Sequence, residues 1–343
     1  MYVWSILYAL CLVVKETVQK ESACIFILCR NRDISGLKPT ITKFEKYFNK
    51  KYQYPYVLVN DVPFTEDFKK EFTSLTGNPV EFGIIPTEHW SYPVWIDKKK
   101  AKERRDIMQK DNVLYGGSES YRHMCRYFSG FFFNHPLTAK YQYYWRVEPD
   151  TALHCPIEYD VFEYMRTNKK KYGFTITLYE YPQTVTSLWK TVQQFISSYN
   201  TFYRPGDYWT IIEPINLHRF ITDEMYTRYN MCHFWSNFEI ADFSFFRSKK
   251  YKMFFNYLDR SGGFFYERWG DAPVHSIAAS IFLNSKEVHY FEDIGYTHPP
   301  FTHCPHPSLQ KSACDCNAST SVSITMPQCI SLYKKVSKLT SNQ

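Results

Sequence analysis

Tyr141-Gln-Tyr-Tyr-Trp-Arg-Val-Glu-Pro-Asp150 is the stretch from which the rest of the chain can be read. Aromatic and β-branched residues favour a pleated, half-buried surface, which predicts a strand over residues 142–147. Pro149 cannot donate to a ladder and stops it, leaving two carboxylates, Glu148 and Asp150, just past the strand. In an open α/β sheet, ligands bind beyond the carboxyl ends of the strands. Hard oxygen donors placed there suit Mg²⁺ or Mn²⁺ shared with substrate phosphates. Two solvated acids at a strand end would look the same, so the surrounding sequence has to separate the two readings.

Outward from that strand the pattern is α/β. Ala23-Cys-Ile-Phe-Ile-Leu28 is a continuous apolar run, the mark of a strand buried on both faces. Leu37, Ile41, Phe44 and Phe48 then recur at helical spacing over residues 34–49. Tyr56-Val-Leu-Val-Asn60 reads as a second buried strand, ending at Asp61. Strand, helix and strand predict a right-handed crossover and a parallel sheet. Helical signals also cover residues 65–75, 98–111 and 187–198, and an apolar helical run begins at His275, which reads as a packing residue. Residues 174–178 read as one more strand. No repeat or low-complexity linker intervenes, so the expectation is one α/β domain with an elaborated C-terminal half.

Composition narrows the function. The chain of 343 residues is 44% hydrophobic and 22% charged, which excludes disorder. Aromatic content is 19%, a supply of rings for stacking bases and sugars as well as for a core. With 12 glycines and neither G-x-G-x-x-G nor G-x-x-x-x-G-K-[ST], a Rossmann site and a P-loop are both excluded. The net charge of +7 collects at Lys98 to Lys100 with Lys102, Arg104 and Arg105, and at Lys169 to Lys171. These read as solvated faces, not as a nucleic-acid footprint.

Residues 1–14 are the only long apolar run. A membrane span needs about 20 such residues, so residues 1–20 read as a secretory signal or a short anchor. Ten cysteines suit an oxidising lumen, and Cys304, Cys314, Cys316 and Cys329 crowd residues 306–343 and their border. That segment is expected to be a disulfide-stapled tail after a catalytic domain at 21–305. Zinc is disfavoured because Cys-x-Cys lacks the gap of common zinc pairs. With Cys11 in the leader, nine cysteines remain and at least one thiol is expected free. Asn317-Ala-Ser319 is a glycosylation sequon.

The motifs taken together resemble the fungal α-1,2-mannosyltransferases of glycosyltransferase family 15. They are Phe82-Gly-Ile-Ile-Pro86, Glu88-His-Trp-Ser-Tyr-Pro93, Ser120-Tyr-Arg-His-Met-Cys-Arg126 and the opening stretch itself. Gly173-Phe-Thr-Ile-Thr-Leu-Tyr-Glu-Tyr181 and Cys232-His-Phe-Trp-Ser-Asn-Phe-Glu-Ile240 follow. The last are Gly262-Gly-Phe-Phe-Tyr-Glu-Arg-Trp-Gly-Asp-Ala-Pro-Val-His-Ser276 and Gly295-Tyr-Thr-His-Pro-Pro300. The resemblance implies a GT-A fold, GDP-mannose as donor, Mn²⁺ as cofactor, a mannosylated glycoprotein as acceptor and a Golgi location. A silent sugar-binding protein on the same fold and a mannosylphosphate transferase are the competing readings.

The resemblance also implies roles. Glu148 and His298 match the family's metal ligands, a carboxylate and an imidazole that with phosphate oxygens suit Mn²⁺. Asp150 would bind the metal through water or hold a sugar hydroxyl. Glu239 matches a carboxylate proposed near the anomeric carbon, acting by a covalent glycosyl-enzyme or by charge stabilisation during same-face attack. Tyr121 matches a tyrosine near the reaction centre. Arg30, Asn31 and Asp61, past the first two strands, are nucleotide candidates. Arg126 and Arg146 are candidates for the diphosphate or for buried ion pairs. Glu267, Arg268, Trp269 and Asp271, an aromatic plane among charges, are expected to bind the acceptor.

Overall fold

The computed structural model describes residues 20–202, 211–310 and 313–341. The expected leader therefore falls almost wholly outside the described residues. In chain order the strands are β1 (Ala23–Leu28), β2 (Tyr56–Asn60), β3 (Val80–Ile84), β4 (Tyr143–Arg146), β5 (Ala152–Leu153), β6 (Tyr172–Phe174), β7 (Thr177–Tyr179), β8 (Cys232–Phe234), β9 (Glu239–Asp242), β10 (Val288–Tyr290), β11 (Tyr296–His298) and β12 (Phe301–His303). The principal helices are α1 (Ile34–Phe44), α2 (Glu66–Thr73), α3 (Lys98–Lys110), α4 (Glu119–Gly130), α5 (Leu188–Phe202), α6 (Lys249–Ser261), α7 (Asp271–Phe282) and α8 (Gln328–Ser341).

Seven strands form the central sheet in the order β10-β6-β9-β4-β1-β2-β3. Four pairings are parallel, and β9 runs antiparallel to both β4 and β6. The continuous apolar runs of β1 and β2 follow from cover on both faces. Cys24, Phe26, Val57 and Val59 enter one core, while Ile25, Ile27, Tyr56 and Leu58 enter the other. Thr65, Asp97 and Ser118 cap α2, α3 and α4 by accepting backbone N–H bonds, which sets where these helices begin.

The structure departs from the sequence reading in three places. The helix of residues 34–49 is α1 followed by a turn with π-type bonding over Glu45–Asn49. The strand expected at 174–178 is broken at Thr175 and Ile176. Its first part, β6, stays in the main sheet, and its second, β7, pairs with β8 in a separate two-stranded sheet. A uniformly apolar and β-branched run carries no mark of such a bend.

The third departure is the C-terminal segment. Ile330, Tyr333 and Val336 of α8 are part of the main core, so this helix is built into the domain. Cys232–Cys329 joins it to β8, and Cys155–Cys314 and Cys304–Cys316 close the chain on either side. Among the described residues Cys24, Cys29 and Cys125 are free and buried. Cys232–Cys329 closes a loop with a sequence separation of 97 residues, worth about 4–5 kcal/mol in the chain-entropy account. Cys329→Ser is therefore expected to lower the unfolding free energy by about that amount, read from urea denaturation of the oxidised protein.

Candidate active site

A cleft of about 950 Å³ opens beyond the carboxyl ends of β1, β2 and β4, within the size range of ligand sites. Leu28, Arg30, Asp33, Asn60 and Asp61 line one end, past β1 and β2. Arg146, Glu148 and His298 line the middle. Tyr121 of α4, Arg268 and Asp271, together with the β7 wall, line the other end.

The turn after β4 explains how Glu148 comes to face inward. Val147 N–H still donates to Phe26 O at 3.0 Å, prolonging the β1–β4 pairing by one residue before Pro149 ends it. Glu148 Oε2 then lies 3.5 Å from His298 Nε2. His298 Nδ1 is 3.1 Å from Pro299 O, so with Nδ1 donating there a metal could take the place of the proton on Nε2, the nitrogen that faces Glu148. The Trp235 ring, 5.1 Å away and edge-on, packs against the imidazole. Among the described residues no three His, Cys, Asp or Glu side chains converge as a metal site. The donor set is one carboxylate and one imidazole, which fits an ion that receives its other ligands from a diphosphate and water.

Arg146 organises this centre. It is almost fully buried, its Nη1 donates to Asp271 Oδ2 at 2.5 Å and its Nε to Glu148 Oε1 at 2.8 Å. Its guanidinium also lies 3.4 Å from the centre of the Phe128 ring. Burial works against a charged Glu148, but the charge of Arg146 and the hydrogen bond from His298 overcome it and bring the carboxyl down to about 2. In His298 burial is likewise outweighed, here by Glu148, and the imidazole is raised. Asp271 is held low by Arg146 against the effect of burial, and Ser236 Oγ donates to it at 2.7 Å.

Tyr121 lines the cleft with its ring stacked on Tyr115 at 4.5 Å, and burial raises its hydroxyl well above the ordinary value. Sequence reasoning missed Asn60, whose Nδ2 is buried with no hydrogen-bond partner while its Oδ1 accepts from Asp61 N–H. Its place at the end of a parallel strand was the available signal. Glu180, also missed, lines the cleft and accepts from Arg268 Nη2 at 3.2 Å.

Six expected site residues are not brought to the cleft. Asp150 adopts φ 63°, which turns its carboxylate back onto Gly36 in the first turn of α1, where the helix dipole favours it. Asn31 donates to Pro63 O and accepts from Thr65 N–H, fixing the loop after β2. Arg126 is consumed by a two-pronged pair with Asp259 at 2.7 and 2.9 Å. Trp269 has no exposed surface; its ring packs against Gly263 and its Nε1 donates to Glu267 Oε2 at 2.8 Å. Glu267 also accepts from Ser187 N–H, which fixes the residue that precedes helix α5.

Glu239, the sixth, is fully enclosed one layer beneath the cleft. Tyr144 OH donates to its Oε1, and His275 Nδ1 lies 2.8 Å from its Oε2. His275 Nε2 is 3.0 Å from Phe128 O. Both ring nitrogens therefore lie within hydrogen-bond reach of an oxygen, Glu239 Oε2 on one side and Phe128 O on the other. His275, read from sequence as a packing residue, is the counterpart of a buried carboxylate.

With this geometry in place, comparison with known proteins is decisive. The family model described as glycolipid 2-alpha-mannosyltransferase matches residues 6–338. The chain belongs to this family. Among curated members of the mannosyltransferase family it is similar to alpha-1,2 mannosyltransferase KTR1 of Saccharomyces cerevisiae, 46% identical over 95% of this chain and 81% of that one. It is 52% identical to a glycolipid 2-alpha-mannosyltransferase of the same yeast, over 83% of this chain and 62% of the relative. Among solved structures it resembles core-mannan synthase A of Aspergillus fumigatus in its Mn/GDP form. That match has a TM-score of 0.85 and 37% identity, covering 92% of this chain and 85% of that one. The GT-A architecture expected of the family is borne out by this likeness and by the mixed, mainly parallel sheet.

Proposed function

We propose that the protein transfers mannose from GDP-mannose to a mannose-terminated glycan of a glycoprotein, forming an α-1,2 linkage with retention at the anomeric carbon. The observation that carries this reading is the convergence of Glu148 and His298 in the cleft, past β4 and beside the ends of β1 and β2. Glu148 and His298 would hold Mn²⁺, which neutralises charge on the departing diphosphate when bound. Arg30, Asn60 and Asp61 line the end suited to the nucleoside. Burial keeps the Tyr121 hydroxyl protonated, so it can donate to the diphosphate or the sugar. Asp271 is ionised and faces the cleft next to Arg146, which suits it to stabilise positive charge on the sugar ring. Glu239 acts through its neighbours, by holding His275 and with it the first turns of α7.

Three disulfides support a place in the oxidising lumen of the secretory pathway, and the apolar residues 1–14 support delivery or anchoring there. The direct test is transfer from labelled GDP-mannose to methyl-α-mannoside, with and without Mn²⁺, and digestion of the product by an α-1,2-mannosidase. Metal-dependent, digestible disaccharide is expected; a resistant or acid-labile product overturns the linkage. Glu148→Ala is expected to weaken Mn²⁺-dependent GDP binding at least tenfold in calorimetry, leaving the weak metal-free binding in place. Unchanged metal dependence would remove Glu148 from the ligand set.

A further inference from the structure

The order of strands sets the direction in which substrates lie. The nucleoside end of the cleft is over β1 and β2, and the metal pair is at β4. The next strands, β9 and β6, lie on the opposite side of β4, and β6 leads directly into β7. A sugar attached to the far phosphate, and the acceptor beyond it, therefore point towards β7.

Exposure alternates along residues 178–181, which run from the end of β7 into the turn after it. Leu178 and Glu180 turn inward and are 8% and 9% exposed. Tyr179 and Tyr181 turn outward and are 49% and 48% exposed, yet both line the cleft. Neither ring packs against another aromatic ring among the described residues, in a chain where most rings do. Their backbone is nonetheless fixed, because Tyr181 N–H donates to Glu180 Oε1 at 2.8 Å and that carboxylate is held by Arg268. Met326 lines the same cleft and is 37% exposed. It stands three residues before Cys329, whose disulfide ties it to β8, the partner strand of β7.

We propose that Tyr179, Tyr181 and Met326 form a platform for the second sugar of the acceptor, selecting mannose chains of two or more units over single mannose. The proposal rests on the transferase reading above. A pyranose presents an apolar C–H face that suits exposed aromatic and thioether surfaces. The platform is continuous with the cleft and lies downstream of the anomeric carbon.

The test compares methyl-α-mannoside with methyl-α-mannobioside as acceptors for the wild type, Tyr179→Ala, Tyr181→Ala, Met326→Ala and the two Tyr→Phe variants. Wild type is expected to show a lower KM for the disaccharide. Each alanine variant is expected to raise that KM about tenfold, with monosaccharide transfer and GDP–Mn²⁺ affinity within twofold. The phenylalanine variants, which keep the ring, should match wild type. Equal KM values for the two acceptors in the wild type, or equal losses on both in the alanine variants, overturn the platform. Saturation-transfer NMR of mannobioside on the GDP–Mn²⁺ protein separates the two readings. Binding weakened in the alanine variants, with no transfer by any form, would sink the transferase reading and keep the platform.

Discussion

Arg146→Leu is expected to cost about 3–5 kcal/mol of stability and to abolish Mn²⁺-dependent GDP binding together. The side chain is almost fully buried and is shared by two carboxylates, Glu148 and Asp271. Removing one partner of a buried ion pair leaves an uncompensated charge, and here two are left. Leucine also forfeits the stacking on Phe128. The measurement is urea unfolding beside titration of GDP in the presence of Mn²⁺. Arg146→Lys restores a charge without the fork that reaches both acids, so it should recover part of the stability and little of the binding. A leucine variant that unfolds like wild type would show that Arg146 does not organise the centre.

His275→Leu and Glu239→Gln should differ sharply although the two residues touch. The leucine variant leaves a fully buried carboxylate without its imidazole partner, and a loss of about 3–5 kcal/mol is expected. The glutamine variant can satisfy every partner. Its amide oxygen accepts from Tyr144, and its N–H donates to Nδ1 of a His275 that keeps only the Nε2–H bond to Phe128 O. Glu239→Gln is therefore expected to stay within about 1 kcal/mol of wild type and to retain transfer within about tenfold. A thousandfold fall in kcat with a stable fold would place the Glu239 carboxylate at the anomeric carbon after all.

Elements whose signal is local were legible in the sequence. β1 and β2 are apolar without interruption because helices cover both faces, and β4 ends where a proline must end it. β9 was not legible. It is four residues long with an acid at each end, and both acids are buried on partners distant in sequence: His275 for Glu239, and Lys171 for Asp242. The same limit governs the site. Glu148 and His298 were found through motifs, while Arg126 stayed open between a diphosphate contact and a buried ion pair because its partner, Asp259, lies 133 residues away. Trp269 beside two acids has the composition of a sugar platform, but packing against Gly263 removes its face from solvent. Asp150 could not be placed without knowing the backbone angle that reverses its side chain.

The bond between Cys232 and Cys329 has a consequence for how the protein is made. Strand β8, which carries His233 into the cleft, is fixed to a residue 97 positions later in synthesis. Helix α8 and Met326 arrive with that residue. The acceptor side of the cleft is thus sealed only once the nascent chain has been translated through its last helix and oxidised. A chain released before α8 would lack that disulfide and also Ile330, Tyr333 and Val336 of the main core, so premature products should be unstable throughout and not merely open on one side.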